Sequence, residues 1–250
     1  RRILCVDEAE LVRTVKVLKC PIVTIEQYNN DTRSVVLALP EDIAFHAGQY
    51  LHILLPGKKL PFSIASAPRN RDRLELHIRP TPGSEDSEAV EALLDSSEIL
   101  EIEMPLGDCY LTTAPDHPLI LIAASTGITQ MKSIIEHLIE VGTTQSVYLY
   151  WGVLNDNDLY LADLCNRWAR DFNDFYFVPV VSEPENTPNW SGRTGLVGDA
   201  VLEDFKDLSN VTVIVSGGPS MVYATFDAFV DRGMPADNMK SDIFSYAPRG

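Results

Sequence analysis

The run Leu119-Ile120-Leu121-Ile122-Ala123 constrains the fold more than any other stretch of this chain. It is apolar at every position, so a strand made from it is apolar on both faces. Such a strand is stable inside a sheet covered on both sides, which means a parallel sheet flanked by helices. The residues downstream agree with this. After Ala124-Ser125-Thr126-Gly127, the segment 129–141 places Met131, Ile134, Ile135, Leu138 and Ile139 at helical spacing. Residues 146–151 predict a strand, 159–170 a helix and 175–181 a strand. Residues 198–205 predict a short helix, 211–215 a strand and 222–232 a helix. Strand–helix alternation with apolar strands predicts a doubly wound α/β domain.

The residues before this run have a different texture. Segments 12–18, 20–27, 34–39, 50–55, 74–79 and 99–104 read as short strands, broken by Asn29-Asn30-Asp31 and by Gly and Pro. Leu74, Leu76 and Ile78 alternate with Glu75, His77 and Arg79, so the two sets lie on opposite faces. One helix, about 87–94, interrupts them. The pattern predicts an antiparallel barrel or sandwich. Ala114-Pro115-Asp116-His117-Pro118 reads as a linker. The expected fold is therefore two-domain, with an N-terminal antiparallel β-barrel over 1–113 and a C-terminal doubly wound parallel sheet over 114–250.

The stretch Lys58-Lys59-Leu60-Pro61-Phe62-Ser63-Ile64-Ala65-Ser66-Ala67-Pro68 reads two ways. Pro61 cannot donate to a ladder, and Ser63, Ala65 and Ser66 are small where a buried strand uses bulk. It is either an edge strand capped by turns, or a strand against which something flat and polar-edged lies.

Composition narrows the partners. The 250 residues carry a formal charge of −16, which repels nucleic acid and anionic membrane surfaces. The longest apolar runs are far too short to span a bilayer, and a cytoplasmic setting is the default expectation. The chain opens at Arg1, which leaves room for an upstream segment. Cys5, Cys20, Cys109 and Cys165 form no close pair, so reduced buried thiols are expected and a metal site is not. His46, His52, His77, His117 and His137 also lack metal-site spacing. No Gly-x-Ser-x-Gly elbow marks a nucleophile. Asp156 and Asp158 read as a solvated turn.

Two junctions carry a ligand-binding signal. Ala123-Ala124-Ser125-Thr126-Gly127 ends one apolar strand and opens a helix; Val215-Ser216-Gly217-Gly218-Pro219-Ser220-Met221 does the same later. In an open α/β sheet such strand ends bind ligands, with helix amides directed at phosphate. A plain turn explains either junction alone, and the dinucleotide fingerprint Gly-x-Gly-x-x-Gly is absent. The loop Trp190-Ser191-Gly192-Arg193-Thr194-Gly195 sets Arg193 near the same sheet edge, as surface or as a phosphate ligand.

The order of these motifs resembles the ferredoxin–NADP reductase superfamily, and within it the bacterial NAD(P)H:flavin oxidoreductases, including those that serve bioluminescence. The likeness covers nearly the whole chain. It rests on Phe45-His46-Ala47-Gly48-Gln49-Tyr50, Pro61-Phe62-Ser63-Ile64-Ala65-Ser66, Leu74-Glu75-Leu76-His77-Ile78 and Tyr150-Trp151-Gly152. Val178-Pro179-Val180-Val181, Gly192-Arg193-Thr194-Gly195 and the terminal Asp242-Ile243-Phe244-Ser245-Tyr246 complete it.

The resemblance implies a flavin, FMN or FAD, along Pro61, Phe62, Ser63, Ile64, Ala65 and Ser66, with the Ser63 hydroxyl at flavin N5. It implies further flavin contacts from His77, Ile78, Phe244 and Tyr246, and backbone amides at Ala65 and Ser66 for the pyrimidine edge. NADH or NADPH would meet Ser125, Thr126, Gly127, Arg193, Ser216, Gly217, Gly218 and Met221, with Ser63 and Thr126 at the reacting centre.

Three departures from the family pattern qualify this. Leu60 stands where an Arg is usual, with Lys58 and Lys59 just upstream. Ala124-Ser125-Thr126-Gly127 replaces Gly-Gly-Thr-Gly. Ser216 replaces a frequent Cys. No aromatic segment for stacking an adenine follows His77-Ile78-Arg79. Together these imply a loosely held flavin used as substrate, with a flavin-using monooxygenase or luciferase-type enzyme as the user of its reduced form. The alternatives are an electron-transfer reductase with tightly held FAD and an iron–sulfur or oxygenase partner, and a non-catalytic nucleotide-binding subunit.

Overall fold

Residues 14–69 and 71–249 are described in a computed structural model of the chain. They divide into two compact units. The first takes in the described residues up to Tyr110 together with Lys132–His137, and the second Leu111–Met131 with the described residues from Leu138 onward.

The first unit is a curled antiparallel sheet of six strands in the order β4-β3-β6-β1-β2-β5. These are β1 (Lys16–Gln27), β2 (Arg33–Ala38), β3 (Tyr50–Leu55), β4 (Lys58–Ser63), β5 (Arg73–Ile78) and β6 (Ile99–Leu106). Helix α1 (Glu85–Ser96) precedes β6 and is capped by Ser84, whose side chain accepts from the Ser87 amide. The sequence predicts strands at 12–18 and 20–27. The structure has the single strand β1, and Val12 and Arg13 lie outside the described residues. Its first half pairs with β6 and its second half with β2. Pro21 sits at the exchange of partners, where its missing N–H is tolerated.

Strand β4 is an end strand, in keeping with the edge-strand reading of the Pro61 segment. Just past it, the Ala65 amide donates to the Glu75 carbonyl at 2.8 Å, which ties the β4 end of the sheet to β5. The sheet buries Leu18, Val35, Leu37, Leu51, Ile53, Leu74, Leu76, Leu100 and Ile102 in one core. Each such side chain contributes roughly 1.5–3 kcal/mol by leaving water.

The second unit is a parallel sheet in the order β10-β9-β8-β7-β11-β12. In chain order it runs β7 (Leu119–Ala124), α2 (Ile128–Val141), β8 (Val147–Val153), α3 (Ala162–Asp171) and β9 (Phe175–Val181). It continues through β10 (Arg193–Thr194), α4 (Val197–Asp204), β11 (Thr212–Ser216), α5 (Pro219–Asp231), β12 (Met239–Lys240) and α6 (Ile243–Tyr246). The apolar run at 119–123 forms β7, a central strand buried from Leu119 to Ala123. The predicted strands and helices all recur, apart from shifts of a few residues at their ends. The short elements β10, β12 and α6 carry too few residues to show a period.

Cys20, Cys109 and Cys165 are buried; Cys5 lies outside the described residues. Burial pushes the Cys20 thiol up to about 11 and the Cys165 thiol up to about 12, so neither is a ready nucleophile. Among the described residues no group of three or more His, Cys, Asp or Glu could hold a metal ion, and no helix is long and apolar enough to cross a membrane. Asp158, read as part of a solvated turn, is instead buried in a short 3-10 turn closed by its amide on the Asn155 carbonyl at 3.1 Å.

Candidate functional site

Strands β7 and β11 are neighbours, with Ser216 in register with Ala123. After β7 the chain builds the sheet outward through β8, β9 and β10, and it returns to the other side of β7 for β11 and β12. The order of strands therefore reverses between β7 and β11, which is the point where open α/β sheets bind ligands. The two junctions singled out in the sequence, at Ser125–Gly127 and Ser216–Gly218, meet here.

The contact between them is backbone-close. A Cβ on Gly127 would lie 2.3 Å from the Ser216 carbonyl oxygen, and one on Gly217 would lie 2.4 Å from Met221 Cε and 3.0 Å from Ala124 Cβ. Glycine is required for lack of room at 127, where the obstacle is backbone; at 217 it is the flexible end of Met221, which can move aside. Ser125 holds a left-handed φ of 52°, and its carbonyl accepts from the Trp151 indole at 2.9 Å. Residues 125–127 form a 3-10 turn that runs into α2, and Gly218 caps α5 with Pro219 at its first position.

Beside this junction lies a cleft of about 460 Å³, lined by Ser125, Gly152, Gly195, Gly198, Ser220 and Met221 among others. Gly152 lets α4 approach β8, since a Cβ there would lie 2.8 Å from Val197 Cβ. The lining is mostly apolar side chains and glycine backbone, with amides at the starts of helices nearby, which fits a dinucleotide. Ser125 and Met221 line the cleft, while Thr126, Gly127, Ser216, Gly217 and Gly218 form the junction beside it. Arg193 is placed differently from its reading as a phosphate ligand. Its guanidinium is spent on Asp204, at 2.7 and 2.8 Å, and on the Ala200 carbonyl at 2.9 Å. The sequence reading missed Leu154, Ser182, Leu196 and Asp199 in the lining. Leu154 and Ser182 each follow a parallel strand by one residue, which is itself a signal; Asp199 carries none.

In the first unit, Pro61 is exposed and Phe62 and Ser63 are half-buried on the edge strand β4. Ser63 faces Tyr50 across the β3–β4 ladder, and no described residue hydrogen-bonds its hydroxyl. A flat ring laid along 61–63 would thus meet one uncommitted hydroxyl. The open part of the segment is narrower than expected. Ile64, Ala65 and Ser66 are buried, with the Ile64 amide on the Gln49 carbonyl at 3.1 Å and the Ala65 amide on Glu75. The Ser66 carbonyl accepts from Ser133 at 2.8 Å, and its hydroxyl accepts from the Glu75 amide at 3.2 Å. Of the two amides expected at the edge of a ring, the one at Ala65 is therefore already engaged.

His77 and Ile78 also turn inward. Ile78 is core, and His77 Nε2 lies 2.9 Å from Glu75 Oε1. The polar face of β5 is closed over by side chains. Glu75 accepts from Tyr28 at 2.9 Å and from Lys132 at 2.8 Å, and Lys132 also pairs with Glu136 at 3.0 Å. Burial alone would raise the Glu75 carboxyl; the His77 hydrogen bond and the Lys132 charge outweigh it and hold the group well below the usual carboxylate range. Neither lysine ahead of Pro61 is an uncommitted cation. Lys58 pairs with Asp86, and Lys59 with Glu103 at 2.8 Å. In the second unit, Phe244 packs against Tyr223 and Phe226, and Tyr246 is 55% exposed.

A parallel sheet with an apolar cleft at its strand reversal is a dinucleotide-binding domain, and here it follows a curled antiparallel sheet with an open edge strand. Comparison with known proteins extends this. Residues 19–110 match the oxidoreductase FAD-binding domain, and residues 121–227 the oxidoreductase NAD-binding domain. An NAD(P)H-flavin reductase of Vibrio harveyi is 33% identical over 236 residues, covering 92% of this chain and 99% of that one. The CDP-6-deoxy-L-threo-D-glycero-4-hexulose-3-dehydrase reductase of Yersinia pestis is 33% identical over 231 residues, 92% of this chain and 69% of that one. The crystal structure of Amycolatopsis cytochrome P450 reductase GcoB matches with a TM-score of 0.83 at 30% identity, covering 91% of this chain and 69% of that one. The chain belongs to the ferredoxin reductase family of oxidoreductases, with an FAD-binding and an NAD-binding domain.

Proposed function

We propose that this protein uses NAD(P)H to reduce free flavin, which then leaves to serve another enzyme. When bound, the nicotinamide supplies hydride from C4 and the flavin accepts it at N5. The chain's own contribution is alignment. Ser63 presents its hydroxyl from the half-buried end of the edge strand, beside exposed Pro61. Ser125, Thr126 and Gly127 start α2 at the strand reversal, where backbone amides meet a pyrophosphate. Gly217 and Gly218 keep the opposite wall low.

The observation that favours free flavin over a resident one is the state of the cations before Pro61. Leu60 brings no charge, and Lys58 and Lys59 are committed to Asp86 and Glu103. A flavin phosphate would have to compete with these carboxylates for two exposed, flexible lysines and finds no planar arginine fork on this strand, which favours a loosely held flavin. The coverage of the Vibrio harveyi flavin reductase supports the same reading.

A second reading is an electron-transfer reductase with tightly held FAD, in favour of which stand the similar Yersinia and Amycolatopsis reductases. The two separate in one experiment: the absorption spectrum of the protein after gel filtration, followed by NADH and NADPH oxidation with added FMN, FAD and riboflavin. Colourless protein whose turnover saturates in added flavin supports flavin reduction. Yellow protein, indifferent to added flavin, supports the second reading.

A further inference from the structure

The cleft beside β7 and β11 also bears on which nicotinamide it takes, a question that rests on its reading as the dinucleotide site. We infer that it selects NADH over NADPH, with Asp199 as the specificity-determining residue. NADPH differs by a phosphate on the adenosine ribose. A site for it supplies arginine or lysine, whereas a site for NADH places a carboxylate against the free ribose hydroxyl.

Among the described residues, the cleft is lined by no Lys, Arg or His, and Asp199 is its one ionisable group. Asp199 lies in the first turn of α4 and takes part in no hydrogen bond or ion pair with the described residues, so its carboxylate is available to a ligand. The two most exposed large side chains of the lining, Leu154 and Leu196 at 52% and 65%, are apolar. Arg193, the cation nearest in sequence to Gly195 and Leu196, has its fork filled by both Asp204 oxygens and the Ala200 carbonyl. The formal charge of −16 works in the same direction. The pyrophosphate is common to both coenzymes and is met by backbone amides, so it does not discriminate. What remains is a carboxylate that accepts from a ribose hydroxyl and repels a phosphate.

The test is calorimetric titration of the purified chain with NAD⁺ and NADP⁺, together with kcat/KM for NADH and NADPH at saturating FMN. NAD⁺ is expected to bind about tenfold or more tighter than NADP⁺, a difference of one charge-assisted contact. Asp199→Asn should narrow the ratio and Asp199→Arg should narrow it further. Equal binding of the two coenzymes, tighter NADP⁺ binding, or a ratio unchanged in both variants overturns the inference. Selective NAD⁺ binding without NADH oxidation by any flavin would sink flavin reduction and leave the selectivity standing; flavin turnover at equal rates and equal affinities would do the reverse.

Discussion

The Lys132 ammonium lies 2.8 Å from Glu75 Oε2, inside the first unit and almost out of reach of water, with side-chain exposures of 8% and 17%. Glu136 holds the same ammonium from one turn along α2, and Tyr28 and His77 hold the other carboxylate oxygen of Glu75. A charge this buried is tolerable because every partner is in place.

Removing one partner leaves the other charged and stranded. Lys132→Met is expected to lower unfolding stability by about 3–5 kcal/mol. The double variant Lys132→Met/Glu75→Gln should lose less than the sum of the two single losses, because they share one interaction. Urea unfolding of the four proteins measures the coupling, and strict additivity would count against it.

The same pair sets an acid limit. The Glu75 carboxyl is depressed from its ordinary 4.5 in the folded state. Its contribution is complete above that ordinary value and is lost as the pH falls toward the folded one. Asp204, lowered by the Arg193 hydrogen bond, acts in the same sense. Glu136, which burial pushes up, titrates in the opposite sense and softens the upper part of the curve. The melting temperature should therefore fall as the pH drops below 4.5, and Glu75→Gln should flatten that fall. Thermal melts followed by circular dichroism decide it.

Ser63→Ala separates chemistry from folding. The hydroxyl has no partner among the described residues, so stability should change by less than about 0.5 kcal/mol. Under the proposed function, kcat for flavin reduction should fall roughly tenfold or more, since one polar contact in the transition state is lost. Steady-state kinetics that match the parent would remove Ser63 from the mechanism.

Gly127 has an ordinary φ of −57°, so backbone freedom is not what it supplies. Gly127→Ala would press a methyl to 2.3 Å from the Ser216 carbonyl and force β7 and β11 apart at their ends. A stability loss of about 1–3 kcal/mol is expected, with weaker nicotinamide binding. Tight NAD⁺ binding by a folded variant would show that the strand reversal need not be this close.

Sequence periodicity read the second unit well because its central strands β7 and β11 are buried nearly throughout and its longer helices are amphipathic. It also found both halves of the strand reversal, since small residues after an apolar strand mark a ligand junction whatever their distance along the chain. It could not show that Ser216 and Gly127 touch, which depends on strand order. Nor could it show the fate of charges. Glu75 and His77 alternate with core residues as a solvent face would, yet Lys132, 57 positions beyond Glu75, closes over them. Arg193, Lys58 and Lys59 look equally available to phosphate until their partners Asp204, Asp86 and Glu103 are placed.

Trp151 has one consequence for experiment. Its indole is fully buried, and its only donor reaches the carbonyl of Ser125, a residue lining the cleft. Anything that shifts that carbonyl alters the dipole nearest the chromophore. Native emission should then register occupancy of the cleft without any label, and Trp168→Phe and Trp190→Phe would isolate the signal.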